Sequence, residues 1–296
     1  MRKYNDIFNK YSIVPLKYKF LGKAIIVETD NSKFVIKKRN KNNLIYNYLN
    51  SRSFNYYPKI LSSDNDDYEI FEYVEQIDMP DDQKMLDLID LVALLHSKTT
   101  HYEEIDGEEY KKIYEDINNN ILYLKSYYTD LLFIAESNVY MSPSQYMLAL
   151  NISKIFGSLE FCQNEIEKWY KIVNEKKKQR LVVLHNNLEL SHFIKNKSSY
   201  LISWDKSKID IPIFDLYKLY RKHSMDFEFE NILKRYEHHY PLLEEERILF
   251  FVLISLPDIL EYSDSEYKLC SDISKIIDFL ARTEKFISPY YSKNTK

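Results

Sequence analysis

The chain has 296 residues, 45% hydrophobic and 29% charged, with 41 Lys and Arg against 45 Asp and Glu for a net charge of −4. That length buries one large core or two modest ones, and the slight acidic excess argues against nucleic acid as a partner. Only three glycines (Gly22, Gly107, Gly157) beside 27 Tyr and 16 Phe argue against a glycine-rich phosphate cradle and against a fold of many tight turns.

Strand-like runs come first. KFLGKAIIVE (19–28) and KFVIKK (33–38) flank Thr29-Asp30-Asn31-Ser32, whose composition suits a hairpin turn. KNNLIYNYLN (41–50) reads as a short helix, NYYPKIL (55–61) leads back toward a sheet, and YEIFEYVE (68–75) is one more strand. The texture then changes. Met79-Pro80-Asp81-Asp82 starts a helix, with proline near its entry and acids at the positive end of the dipole. Met85, Leu88, Ile89, Val92 and Leu95 keep helical spacing up to His96. Tyr110 to Tyr128 marks a second helix, and the capping box Ser142-Pro143-Ser144-Gln145 opens a third that runs to about Val173. RLVVLH, HFI and YLISW are short strands, and the chain is helical again after Asp215. A strand-rich lobe over 1–76 followed by a helical lobe over 77–296 is the expected organisation, and ligands commonly bind between two such lobes.

Cys162 and Cys270 fit no metal spacing and read as buried thiols of a reducing compartment. The first fourteen residues hold no apolar core of signal-peptide length. The longest apolar run, ILFFVLISLP (248–257), is half a membrane span. A soluble cytoplasmic protein without a membrane partner is expected.

The chemistry-bearing stretch is RLVVLHNNLELSHFI (180–194), in which a strand delivers His185, Asn186 and Asn187 onto a loop, with His192 five residues beyond Asn187. Taken with VALLHSKT (92–99) and LISWDKSKIDIPIFDL (201–216), it resembles the aminoglycoside phosphotransferase and choline kinase branch of the protein-kinase-like superfamily. That branch has a helix ending Leu-His-Ser, a catalytic loop His-Gly-Asp-Leu-His-Pro-Gly-Asn-Ile-Leu, and Ile-Asp-Trp/Phe-Glu/Asp followed by Asp-Pro-x-x-Asp-Leu. Within it, SWDKSKIDIPIFDLYKLYRKH is most similar to the kinase-like proteins associated with bacterial spore coats. The resemblance covers nearly the whole chain and implies an α+β, bilobal protein-kinase-like fold, with a small β-rich N-lobe (an antiparallel sheet plus one helix) and a large helical C-lobe.

It also implies a site whose chemistry is missing. Phosphoryl transfer needs an acceptor for the substrate proton, magnesium ligands and positive charge on the phosphates. The family's catalytic aspartate falls on Asn187, and an amide is no general base near neutral pH. Its metal-binding asparagine falls on His192 and its second metal ligand, an aspartate, on Ser203, whereas magnesium wants hard, charged oxygen donors. Lys37 stands at the phosphate-gripping strand lysine, but residues 40–63, where its helix glutamate should lie, contain no acid, which leaves it unpaired. Gly22 alone remains of a phosphate-covering loop. Backbone groups near Glu72 and Val74 still offer contacts to an adenine ring, and His185 and Asp215 match residues that brace the catalytic loop.

Plainer readings stand beside these. Lys37 snorkelling to solvent is as reasonable as phosphate contact, and His185 with His192 lacks an evident third ligand for a metal. His238-His239 and His96 with His101 read as surface or packing residues, and most of the tyrosines as packing. The expectation is a pseudokinase acting as a binding or scaffold module. It needs no cofactor, binds ATP and magnesium weakly at most, and has an unidentified protein or small molecule as partner. The alternatives are a divergent small-molecule phosphotransferase using Asp205, Asp210 or Glu189 as replacement acids, and a structural coat or assembly protein.

Overall fold

The computed structural model describes residues 8–39, 44–62 and 67–292. These group into two compact units. The first holds the described residues up to Thr99 together with His185–Lys208, and the second holds Thr100–Leu184 and the described residues from Ile209 on. Packing therefore joins the helix after residue 80 and the loop at 185 to the N-terminal sheet, a different division from the break after 76 expected from texture.

Four antiparallel strands build the first unit: β1 (Lys17–Leu21), β2 (Ala24–Glu28), β3 (Lys33–Lys38) and β4 (Tyr68–Glu72), in that order. The expected single strand 19–28 is two strands. Gly22 supplies φ +56° at the first central position of a two-residue hairpin turn between Leu21 and Ala24, a conformation that carries no Cβ penalty only at glycine. The turn at Thr29 is the expected one, held by Thr29 N–H to Ser32 O at 2.9 Å and Ser32 N–H to Thr29 Oγ1 at 3.2 Å. Alternation gives the sheet two faces. Ile25, Val27, Ile36 and Ile70 bury one against Phe8, with Tyr11 and Ile13 at its border.

The other face carries the row Ala24, Lys37 and Glu69, which the β2–β3 and β3–β4 registers place directly opposite one another. Helix α1 (Leu44–Ser51) follows β3 and sets the Tyr46 ring 5.9 Å from Phe71. The expected start of this helix at 41, and residues 40–43 and 63 of the acid-free stretch, lie outside the described residues. Segment 55–61 returns to the sheet as expected, Ile60 bridging to Phe71.

Helix α2 (Asp81–Thr99) begins with Asp81 and Asp82 and buries Met85, Leu88, Ile89, Val92, Leu95 and His96. It packs on the hairpin β7 (Phe193–Lys195) and β8 (Ser199–Leu201), where Lys195 Nζ lies 2.8 Å from the Asp87 carboxylate. Leu201 N–H donates to Tyr56 O at 2.8 Å, tying the hairpin to the segment after α1.

In the second unit β6 (Lys178–Leu184) lies between β5 (His101–Glu104) and β9 (Lys208–Asp210). Helix α3 (Gly107–Ser137), capped by Asp106, and α4 (Pro143–Val173), opened by the Ser142/Gln145 capping box, pack together. Then come α5 (Ile213–His223), α6 (Phe229–His239), α7 (Glu244–Ser255) and α8 (Glu266–Ser292), with α7 and α8 both packed on α4. Trp169, Tyr128, Tyr220, Tyr236, Phe250 and Phe251 fill the interior. Arg180 and Glu246 form a buried fork-like pair, Nε to Oε1 at 2.9 Å, on which Glu246 also accepts Leu243 N–H at 3.0 Å. Both cysteines are free, and burial pushes the Cys162 thiol well up, so it is an inert packing group. Among the described residues no helix is long and apolar enough to cross a membrane.

Candidate functional site

Strand β3 presents Lys37 on the sheet face that also carries Glu69, and this lysine has acidic company. Its Nζ lies 3.9 Å from Asp205 Oδ2, with side chains 18% and 41% exposed. The expectation that Lys37 lacks an acidic partner is thus corrected: the acid comes from the segment after Ser203, not from α1. Glu69, buried and directly across the sheet, is a second acid in electrostatic reach. Burial raises its carboxyl pKa and Asp205 raises it further, while Arg39 and Lys37 pull it down. From α1, Tyr46 faces the same charges. Burial, then Glu69 and Asp205, hold its hydroxyl far above the ordinary range, so it stays protonated and able to donate. Sequence reasoning missed Glu69 because it looked for the partner on the following helix. No local pattern gives it, because β3 and β4 are joined through α1 rather than by a hairpin and alternation alone does not set their register.

The loop from His185 to Ser207 is braced backbone to side chain. His185 is fully buried, its Nε2–H donating to Ile202 O at 2.8 Å and its ring edge-on to Trp204 at 4.9 Å. Trp204 Nε1–H donates to Leu201 O at 2.9 Å, and Ser207 N–H and Oγ both donate to Trp204 O. Asn186, where the resembled family has glycine, takes φ +60° and donates from Nδ2 to Lys206 O at 2.7 Å. Asparagine is among the few residues that tolerate that conformation. Ser203 also lies in the left-handed region, at φ +68°. Asn187 is half-buried, and its backbone carbonyl oxygen accepts a hydrogen bond from His192 Nδ1–H at 2.8 Å, which fixes the imidazole tautomer.

The donor set does not fit magnesium. Asn187 offers an amide, His192 an imidazole whose Nδ1 is engaged, and Ser203 a neutral hydroxyl, where an octahedral magnesium site draws on carboxylates and water. Asp205 directs a carboxylate oxygen at Lys37, and the Asp210 carboxylate accepts the Ile211 N–H at 2.8 Å. Among the described residues no group of three or more His, Cys, Asp or Glu is placed to hold a metal ion.

Glu72 and Val74 line a polar cavity of about 740 Å³ with Tyr57, Tyr73, Asn196 and Tyr200, and Lys37 is not part of its wall. The expected adenine-contacting residues and the expected phosphate-contacting lysine are therefore not gathered around that one cavity. Backbone groups there are also partly spoken for, since Glu72 N–H donates to Lys59 O at 2.9 Å and Tyr73 N–H to Lys33 O at 3.2 Å. Asp215 is fully buried in the first turn of α5, in the second unit, where its charge reaches the buried Tyr236. His101 lies on β5, His238 and His239 in the last turn of α6, and His96 is buried in α2.

A β-rich sheet with one helix, a histidine-led loop entered from a strand, and a long helical part define the protein-kinase-like α+β fold of aminoglycoside phosphotransferases and choline kinases. Among solved structures, the chain is similar to an aminoglycoside phosphotransferase from Alicyclobacillus acidocaldarius (TM-score 0.66, 8% identity, covering 96% of this chain and 94% of that one). It is also similar to the choline kinase LicA from Streptococcus pneumoniae (TM-score 0.51, 16% identity, covering 98% and 100%). A third is the AMP-bound spectinomycin phosphotransferase APH(9)-Ia (TM-score 0.54, 11% identity, covering 97% and 94%). At such identities the likeness is one of fold. No family's sequence profile matches the chain, and no curated protein matches it.

Proposed function

We propose that the chain is a pseudokinase: a kinase-like fold used as a binding or scaffold module in the cytoplasm, without phosphotransfer. One observation carries the reading. The Asn187, His192 and Ser203 positions present no carboxylate to a proton or a metal, while Asp205, the nearest acid downstream, is engaged with Lys37. Phosphoryl transfer is mostly positioning and charge stabilisation, and without hard anionic ligands the metal that supplies the charge has no seat. The resemblance to spore-coat-associated kinase-like proteins favours the same role. No nucleic acid or membrane is part of it, and the partner is a protein or a small molecule.

A second reading rests on Asp205 itself. Being 41% exposed beside Lys37, it is the acid best placed to serve a divergent small-molecule phosphotransferase, as its solved neighbours are by name. A thermal-shift titration with ATP, with and without magnesium, separates the two. Contacts to adenine alone give an affinity of roughly millimolar, about −4 kcal/mol, and near that concentration stabilise the fold by only about 0.4 kcal/mol. A small shift indifferent to magnesium is expected. A large shift that requires magnesium, accompanied by ATP turnover, overturns the pseudokinase reading.

A further inference from the structure

The turn joining α3 to α4 is apolar and open to solvent. Phe133 and Ile134 on the last turn of α3, Val139 and Tyr140 in the connection, and Tyr146 and Leu150 on α4 are all exposed, Val139 at 91% and Tyr140 at 90%. Tyr146 and Leu150 lie one helical turn apart on a common stripe. The turn is braced rather than loose: the Asn138 side-chain amide donates to Ile134 O at 3.1 Å and to Gln145 Oε1 at 3.2 Å. A pre-organised surface loses less entropy when it is covered.

The connection between α7 and α8 is tied to the start of α4, where Ser144 N–H and Oγ donate to the Glu266 carboxylate at 3.0 and 3.1 Å. Tyr262 and Tyr267 are 85% and 86% exposed. Aromatic side chains bury about 150–250 Å² each when covered, and clustered exposed apolar side chains rimmed by polar ones mark interaction sites. The two segments are acidic. Residues 126–153 and 256–267 contain no Lys or Arg, while they hold Asp130, Glu136, Asp258, Glu261, Asp264 and Glu266. Of these acids Asp258 is paired with Arg221, Asp264 accepts the Tyr262 hydroxyl and Glu266 holds Ser144, so Asp130, Glu136 and Glu261 are the ones offered to a partner.

We infer that this face is a docking surface for a cationic amphipathic segment of a partner protein, its apolar side on the tyrosines and its Lys or Arg side chains on the acids. Aromatic residues dominate the centres of protein interfaces, and complementary charge selects the partner. An anionic membrane surface would be repelled by the same acids, and a second copy of the face would set acid against acid. The inference goes beyond the pseudokinase reading and holds whether or not the chain transfers phosphate.

The test uses the full chain and a designed helical peptide of lysine and leucine, compared with its glutamate–leucine counterpart. The lysine peptide should bind at least tenfold more tightly than the glutamate peptide. Val139→Ser/Tyr140→Ser/Tyr146→Ser should weaken it at least tenfold, and so should Glu136→Lys/Glu261→Lys, both with thermal midpoints near the parent's because every changed side chain is exposed. Equal binding of the two peptides, or lysine-peptide binding that neither variant weakens, overturns the inference. So does a dimer in sedimentation that the triple serine variant dissolves, or capture of the parent by phosphatidylserine vesicles that the same variant abolishes.

Discussion

Replacing Asp205 by Asn tests what the contact with Lys37 does. At 3.9 Å the Coulomb energy of the pair is about 1 kcal/mol in water and about 4 kcal/mol at an effective dielectric of 20. Asp205 is 41% exposed, so solvent screens the pair toward the surface range of roughly 0.2–1 kcal/mol. A phosphate that draws the ammonium to itself must give up that much. Asp205→Asn should therefore tighten ADP in magnesium-free buffer by up to about fivefold, since 1.4 kcal/mol is tenfold. Calorimetric or fluorescence titration of ADP against parent and variant, each with and without magnesium, reads the change. If Asp205 instead serves a metal, the variant binds ADP more weakly and the loss appears only with magnesium present. That outcome would refute the reasoning and favour a divergent phosphotransferase.

Asp215→Ala should destabilise the fold by about 1–3 kcal/mol through stranded buried partners, whereas Asn187→Ala, at a half-buried position, should stay within about 0.5 kcal/mol; equal thermal midpoints would contradict this. The raised carboxyl pKa of Glu69 means that the native state holds the proton more tightly than the unfolded chain, so stability falls as pH rises above the ordinary 4.5 through the raised value. Glu69→Gln should accordingly gain thermal midpoint over the parent at pH 7 and lose that gain toward pH 4; an offset constant with pH would contradict it. Asn187→Asp alone should transfer no phosphate, because a base without its metal leaves the developing charge unsupported. The triple variant Asn187→Asp/His192→Asn/Ser203→Asp should acquire a magnesium-dependent ATP shift, and phosphotransfer by the single variant would show that the metal site needs no repair.

Caps and periodicity made the long helices legible. Ser142 and Gln145 mark the start of α4 as they do in the structure, and the spacing of Met85 to Leu95 gives α2. Helix α3 runs on past Tyr128, the last residue whose spacing marks it, to Ser137, and exposed apolar residues such as Phe133 in its last turns hide that stretch from the inward pattern. Strands β5 and β9 have four and three residues, too few for alternation to register. The turn at Gly22 was hidden inside an apolar run, although glycine in a strand pattern is itself a signal. At the site, the substitutions at 187, 192 and 203 were legible from motif alignment. The acids facing Lys37 were not, since Glu69 arrives through strand register and Asp205 through a contact 168 residues away in sequence.

The backbone of the loop explains how the side chains at 187 and 203 can depart from the resembled motif while the shape stays. Among the described residues only four other than glycine have positive φ, and Asn186 and Ser203 are two of them. A serine held there costs on the order of 1 kcal/mol or more and persists only where its surroundings dictate it. Those surroundings are bonds that bypass the Ser203 side chain: His185 to Ile202 O on one side, Ser207 to Trp204 O on the other, and the Asn186 amide on Lys206 O. None of them requires a carboxylate at 187 or 203. Aspartate tolerates the left-handed region at least as well as serine, so the conformation at Ser203 suits the residue that the resembled motif carries there. The loop is thus held by His185, Trp204 and Asn186, and the side chains at 187 and 203 can change without changing its path.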